Sequence, residues 1–141
     1  MTKIRLITWN INSVRARLNI IDHLLAEYKP DILCLQETKV QDHMFPKDVF
    51  DKHGLTHHAL AGQKSYHGVA TLSKLPLASS ERINWCDKGD ARHVGTEFEN
   101  GLKLHNFYVP AGSDVPDVAL NDKFAHKMDF LSEMTNWSHE L

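Results

Sequence analysis

Long apolar runs, paired cysteines and an excess of positive charge are all missing from this 141-residue chain. No stretch approaches the roughly 20 consecutive apolar residues that a membrane-spanning helix needs, so no membrane segment is expected. The opening MTKIRLITWNINS has a basic residue but only a short apolar stretch after it. That excludes the long apolar core and small-residue cleavage site of a secretory leader, and a cytoplasmic location is expected by default. Of the two cysteines, Cys34 lies in the apolar run ILCL and Cys86 in the loop-like WCDKGD, with no CxxC spacing for metal or redox work. Two free thiols in a reducing compartment are expected. A net charge of −2 does not point to nucleic-acid binding, and any electrostatic footprint is expected from local clusters such as Arg15 and Arg17 or from residues past Leu141. Internal repeats, low-complexity stretches and linker-like segments are absent too, so a single domain or part of one is expected.

What is present alternates between strand and helix signals. Ile4 to Trp9 is apolar at nearly every position, as in a strand covered on both faces. After Ser13, Leu18, Ile21, Leu24, Leu25 and Tyr28 recur at helical spacing until Pro30 forbids continuation. Ile32 to Leu35 is again apolar without alternation, which predicts a parallel neighbour of the first strand joined by a crossover helix. A short helix is expected from Pro46, turning Val49 and Phe50 inward and ending at Gly54. Five strand-like stretches follow, over 56–61, 68–73, 77–84, 93–99 and 102–109, and Asn100-Gly101 between the last two signals a type I′ hairpin. From Asn121 a final helix is expected with Phe124, Met128, Leu131 and Thr135 along one face. Two substantial helices suffice for one face of so wide a sheet, so something outside the chain is expected to cover the other.

Asn10 and Asn12 fall at the exit of the first strand and Glu37, in LQETK, at the exit of the second. Ligand sites in α/β proteins gather at such carboxyl ends, and an amide beside a carboxylate suits a hard, oxygen-preferring cation such as Mg²⁺. The alternative is plain turn chemistry, with Asn10 capping the turn and Glu37 paired to Lys39 in solvent. Tyr108 ends the strand LKLHNFYV, where a phenol could reach a phosphate or an attacking water, or could simply lie at the surface. Arg92 is read either as a phosphate contact or as a solvated salt bridge. His53, His57, His58 and His67 match no zinc spacing and are read as surface residues, with only His67 suggestively placed. Trp9, Trp85 and Trp137 are read as core or edge packing.

Taken in order, TWNINSVRARL, PDILCLQETKVQDHMFP, YHGVATLSK, ARHVGTEF, NFYVPAGSD and KFAHKMDFL resemble the exodeoxyribonuclease III and AP endonuclease branch of the endonuclease/exonuclease/phosphatase superfamily. The resemblance implies an α/β fold of DNase I type, a four-layer sandwich with two sheets face to face and helices outside, of which residues 1–141 would be the N-terminal part. It implies a Mg²⁺ site, with Mn²⁺ as the alternative metal, that uses Glu37 and, in its immediate surroundings, Asn10. It places Tyr108 in the catalytic hydrogen-bond network, and Tyr66, His67 and Arg92 at positions like DNA contacts. Ala111 in VPAG stands where the family often has an amide, which removes one such contact. The family's Asp-x-Asn motif, later Asp and terminal Asp-His pair would all lie past Leu141. The function implied is a metal-dependent DNA-repair phosphodiesterase on duplex DNA with abasic sites or 3′ ends, inactive as this half alone, with neither a membrane nor a protein partner. Two alternatives are another phosphodiesterase or phosphatase of the superfamily, acting on RNA, lipid or inositol phosphate, and a non-catalytic nucleic-acid-binding module.

Overall fold

The first expected strand forms as β1 (Leu6–Asn10) and the second as β2 (Ile32–Gln36), in a computed structural model that describes residues 3–141. The two strands run parallel, with Leu6 opposite Ile32 and Asn10 opposite Gln36. Between them a 3₁₀ turn at Arg15–Arg17 leads into helix α1 (Leu18–Tyr28), whose buried side is Ile21 and Leu25. The helix stops where expected. Lys29 turns left-handed at φ 47°, its N–H bonds the carbonyl of Leu25, and Pro30 follows with no N–H to offer. A short helix α2 (Asp48–Lys52) then buries Phe50, which stacks on Phe45 at 5.5 Å.

Strands β3 (His57–Ala61) and β4 (Val69–Ser73) complete the first sheet, whose order is β1-β2-β4-β3 because β4 inserts antiparallel beside β2. A second, fully antiparallel sheet consists of β5 (Leu77–Glu81), β6 (His93–Phe98) and β7 (Lys103–Phe107). The chain divides into two compact units. One comprises the chain up to Ile83 together with Asp90–Tyr108 and holds all seven strands; the other comprises Asn84–Gly89 and Val109–Leu141 and holds helix α3 (Asp122–Ser138). No helix among the described residues is long and apolar enough to cross a membrane.

The strand-bearing unit differs from expectation in how the first sheet is covered. Leu33 and Leu35 pack with Ile21, Leu25 and Phe50 on the helical side, whereas Ile32 and Cys34 pack on the other side with Phe98 and Leu104 of the second sheet. The cover was sought outside the chain, yet β2 and β4 are buried along nearly their whole length by the chain's own strands. Only β1 keeps alternate residues, Leu6, Thr8 and Asn10, exposed. The reason is that the late strands form their own sheet instead of widening the first, which converts a shortage of helices into face-to-face sheet packing.

Two local expectations are corrected. At Asn100-Gly101 only Gly101 has positive φ (91°), and its N–H bonds the carbonyl of Phe98 while that of Phe98 bonds the carbonyl of Leu102. This is a turn centred on Glu99 and Asn100 with a left-handed glycine after it, one residue longer than type I′. In the second unit, α3 begins where expected, and the Asn121 side chain caps it by accepting from the N–H groups of Lys123 and Phe124. Its inner side, however, carries Phe130, fully buried 5.4 Å from the ring of Trp85, which Trp137 meets edge-on at 5.8 Å; Met128 is exposed. Three aromatics on one side outweigh the aliphatic spacing read from sequence.

Backbone bonds extend the β1-β2-β4 pairing past the strand ends. Ser13 and Val14 donate to the carbonyls of Glu37 and Thr38, while Thr38 and Lys39 donate to those of Gly68 and His67. Gly68 is required there, since φ is +94° and a Cβ would lie 2.2 Å from the hydroxyl of the buried Thr38. Gly68→Ala should therefore cost about 2–4 kcal/mol, against about 1 kcal/mol for Gly101→Ala, where a Cβ meets open space. Equal urea midpoints for the two variants would contradict this account.

On the side of β6 and β7 turned away from the first sheet, His93 stacks on His105 with ring centroids 5.3 Å apart. Its Nδ1 accepts from the N–H of Ile83 at 3.0 Å, so the neutral ring carries its proton on Nε2, 3.1 Å from Nδ1 of His105. Burial, and then the neighbouring His105, lowers the His93 pKa to about 4. Above the unfolded value near 6.5 both states are neutral and the group contributes nothing to the pH dependence. Between about 6.5 and 4 the unfolded chain binds a proton that the folded chain refuses, so stability should fall as pH falls across that window, by roughly 3 kcal/mol at most. Ring resonances of His93 should stay those of a neutral imidazole down to about pH 4; titration near 6.5 would mean the ring is open to water.

Candidate active site

Glu37 follows β2 directly and adopts φ 56°, a left-handed conformation that turns the chain out of the sheet. Asn12, Ser13, Lys39, Ser65 and His67 share positive φ, so six of the ten such non-glycine residues among those described belong to the loops at this end of the first sheet. Each strains an L-residue by roughly 1 kcal/mol or more, and such conformations persist only where surrounding bonds over-determine them. The backbone ladder from Ser13 to Gly68 supplies those bonds.

Tyr108 arrives from the other sheet. It leaves β7 with its N–H on the carbonyl of Arg92 at 2.8 Å, and it packs against the cluster of Ala59, Ala61, Val69 and Val94. Its phenol faces the charges of Glu37 and Arg92; burial first, then the negative charge of Glu37, raise its pKa against the opposing pull of Arg92. The phenol is thereby kept protonated, a donor facing the carboxylate. The ring of His67 lies 6.1 Å from that of Tyr108. Burial and the charge of Arg92 lower the His67 pKa against the opposing pull of Asp90 and Glu37, so His67 is held neutral, with Nδ1 3.1 Å from the amide oxygen of Gln63.

Three of the residues singled out from sequence, Glu37, Tyr108 and His67, thus converge, and Arg92 joins them in an unexpected manner. Arg92 is 8% exposed, its Nε is 3.1 Å from Asp90, and its guanidinium carbon sits 4.6 Å over the Tyr108 ring. It is not the solvated ion pair read from sequence, because a carboxylate two residues away and an aromatic face let the planar cation leave water. Asn10 is exposed, and register sets it opposite Gln36, one residue before Glu37. Tyr66 is 67% exposed and touches the site only through the His67 ring at 6.2 Å. Lys39 stands 3.9 Å from Glu37, as the turn-chemistry reading had it, but its ammonium also donates to Oδ1 of Asn12 at 2.6 Å.

Sequence reading missed Gln63, Asp90 and Asn106. Gln63 accepts from the N–H of Ala91 as well as facing His67, and Asp90 holds Arg92. Only Asn106 had a usable signal, since it alternates with Tyr108 in NFY and so shares its side of the strand. The remaining histidines are more engaged than surface residues would be: His53 bonds Asp22 at 2.6 Å, and His58 bonds Asp51 at 2.9 Å and the carbonyl of Leu55. Among the described residues no three or more His, Cys, Asp or Glu side chains gather as a metal site. Glu37 offers a carboxylate, and the adjacent strand exit carries the amides of Asn10, opposite Gln36 in register, and of Asn12, whose oxygen accepts from Lys39; such oxygen groups fit a hard cation better than a soft one.

Residues 7–138 match the sequence profile of the Endonuclease/Exonuclease/phosphatase family. The chain is 33% identical over 140 residues to exodeoxyribonuclease III of Haemophilus influenzae, covering 94% of this chain and 50% of that protein. Its fold superposes on an AP endonuclease from Archaeoglobus fulgidus with a TM-score of 0.81 at 32% identity, over 94% of this chain and 49% of the other. A 3′ phosphatase from Neisseria, solved bound to a product DNA hairpin, gives 0.83 at 30% identity over 98% and 52%. The chain spans about half the length of the relatives it matches. With its motifs, two-sheet α/β architecture and profile in agreement, the chain belongs to the endonuclease/exonuclease/phosphatase family.

Proposed function

We propose that this chain is the N-terminal part of a single domain of a Mg²⁺-dependent DNA-repair phosphodiesterase, acting in the cytoplasm on duplex DNA at abasic sites and 3′ ends. The observation that carries the reading is the meeting of Glu37, from the first sheet, with the Tyr108 phenol from the second. Turn chemistry alone gives no reason for a half-buried tyrosine from the other sheet to face the carboxylate at a strained strand exit. Glu37 and Asn10 would hold the cation, with Mn²⁺ as its substitute. When bound, the cation would neutralise charge that builds on the phosphate oxygens.

The chain's own residues then act on a phosphodiester in defined ways. Tyr108, protonated by its surroundings, donates a hydrogen bond toward a phosphate oxygen while a water attacks phosphorus. Arg92 positions Tyr108 by stacking on its ring, and its buried charge adds positive potential behind the phosphate. His67, neutral with its Nδ1–H directed at the Gln63 amide oxygen, leaves Nε2 as an acceptor for a water or a sugar hydroxyl, and exposed Tyr66 offers a face to a sugar or base. Among the described residues we assign no side chain to activating the water or protonating the leaving oxygen, and we place those roles in the half of the domain that relatives have beyond this length. The relative named as a 3′ phosphatase favours one second reading, a monoesterase with the same site, which a 3′-phosphate-ended duplex distinguishes from an abasic one.

In a protein carrying this chain with the rest of the domain, Glu37→Ala should lower cleavage of an abasic-site duplex by roughly 10³-fold or more, with DNA affinity changed far less, because the lost interaction concerns transition-state charge. Near-native turnover would remove Glu37 from the site. Tyr108→Phe should be milder, about 10- to 100-fold, since one hydrogen bond is deleted and the ring stays packed; a variant equal to the parent would make Tyr108 a packing residue only. The 141-residue chain by itself should not cleave, and metal-dependent cleavage abolished by Glu37→Ala would overturn that expectation.

A further inference from the structure

We propose that Asn106 is a positioning residue that sets the approach of Tyr108 to Glu37 by locking the second sheet onto the exit of β2. Asn106 lies on β7, two residues before Tyr108 and two after Leu104, so the three share one face of the strand. Leu104 packs with Ile32 and Cys34 of the first sheet, which identifies that face as the one turned toward it. Between them an amide, 3% exposed, enters a sheet interface that is mainly apolar, with small hydroxyls such as Thr71 and the Gln36 amide beside it.

Every polar atom of that amide is used across the interface. Its nitrogen donates toward the carbonyls of Ala70 at 2.9 Å and Leu35 at 3.2 Å, with the hydroxyl of Thr71 at 3.4 Å. Leu35 and Ala70 are register partners, so one side chain grips both members of the β2-β4 pair. Its oxygen accepts from the side-chain nitrogen of Gln36 at 2.8 Å, and the same nitrogen reaches the hydroxyl of Thr8 on β1 at 3.0 Å. The residue after Gln36 is Glu37, and the residue two after Asn106 is Tyr108.

An apolar residue would fill the same space, as Ile32, Cys34 and Leu104 do nearby, without fixing the lateral position of one sheet on the other. Hydrogen bonds are directional where apolar contact is not, and a buried amide that satisfies four partners admits one alignment of the two strands. A sideways shift of about 1 Å would move the Tyr108 ring relative to Glu37 and to the His67 ring 6.1 Å away, the scale of misplacement that costs about 100-fold in an enzyme. Arg92 cannot do this work, because it and Tyr108 belong to the same sheet and would move together.

The catalytic consequence rests on the nuclease reading above; the structural one does not, and the two are tested separately. In Asn106→Leu, checked by circular dichroism and cooperative urea unfolding to be folded, nuclear Overhauser contacts of the Tyr108 ring with Arg92, within one sheet, should persist. Contacts of the same ring with His67, across the sheets, should weaken or vanish. Gln36→Leu, which leaves the donors of Asn106 in place and removes only one link, serves if Asn106→Leu does not fold, and should show the same pattern more weakly. In the cleavage-competent longer protein, Asn106→Leu should lower kcat by roughly tenfold with KM within about twofold, and Tyr108→Phe added to it should cost less than in the parent. Unchanged cross-sheet contacts in a folded variant would overturn the proposal whatever the activity. Weakened contacts in a parent that cleaves no DNA would sink only the nuclease reading, leaving Asn106 as the lock between the sheets.

Discussion

Because Ile32, Leu33, Cys34 and Leu35 are all withdrawn from water, β2 has to be covered on both faces, and most of what positions the site follows from how that is done. Helices α1 and α2 take one side. On the other lies a second sheet, brought by the same chain, and with it comes Tyr108. A helix laid there could have supplied the same apolar area, but no strand end. The price of sheet-on-sheet packing is that its lateral alignment is weakly specified by apolar contact, which is where the buried amide of Asn106 enters.

The electrostatics of the site are those of half-buried groups, and direction matters more than size. Tyr108 is held as a donor and His67 as a neutral ring by burial, with Glu37 and Arg92 respectively as the next causes. Arg92, out of water, is paired with Asp90 and stacked on Tyr108, so its charge is compensated without being screened away by solvent. Lys39 is different. It stays partly exposed between Glu37 and Asn12, and an ion pair at 3.9 Å in that setting is worth little. A cation of higher charge could displace that ammonium from the carboxylate without breaking anything that the fold needs.

Those backbone conformations explain why a site sits at this end of the sheet at all. Left-handed Ser13 and Glu37, and left-handed Lys39 and His67, are paired by main-chain bonds, and the Asn12 side chain is held by the Lys39 ammonium, so strain in one loop is supported by the next. Gly68 lets two of these loops meet closely, against Thr38. None of this is visible in composition or periodicity, since apart from asparagine these residue types give no warning of positive φ.

The chain's sequence by itself determined β1, α1 and β2, because uninterrupted apolar runs and a 3.6-residue spacing ended by Pro30 leave few other structures for those segments. It also determined that Asn10 and Glu37 leave adjacent strands side by side, since parallel pairing through a right-handed crossover fixes that order. Tertiary structure decided what local pattern cannot carry. The late strands formed their own sheet and did not widen the first; α3 turned Phe130 and Trp137 toward Trp85, whose position in a distant loop no spacing reveals. Arg92 left solvent because Asp90 and Tyr108 were both within reach, one a neighbour in sequence and the other sixteen residues away. Asn106 shows the division most clearly: alternation with Tyr108 gave its face, but only the packing of two sheets put four hydrogen-bond partners around it.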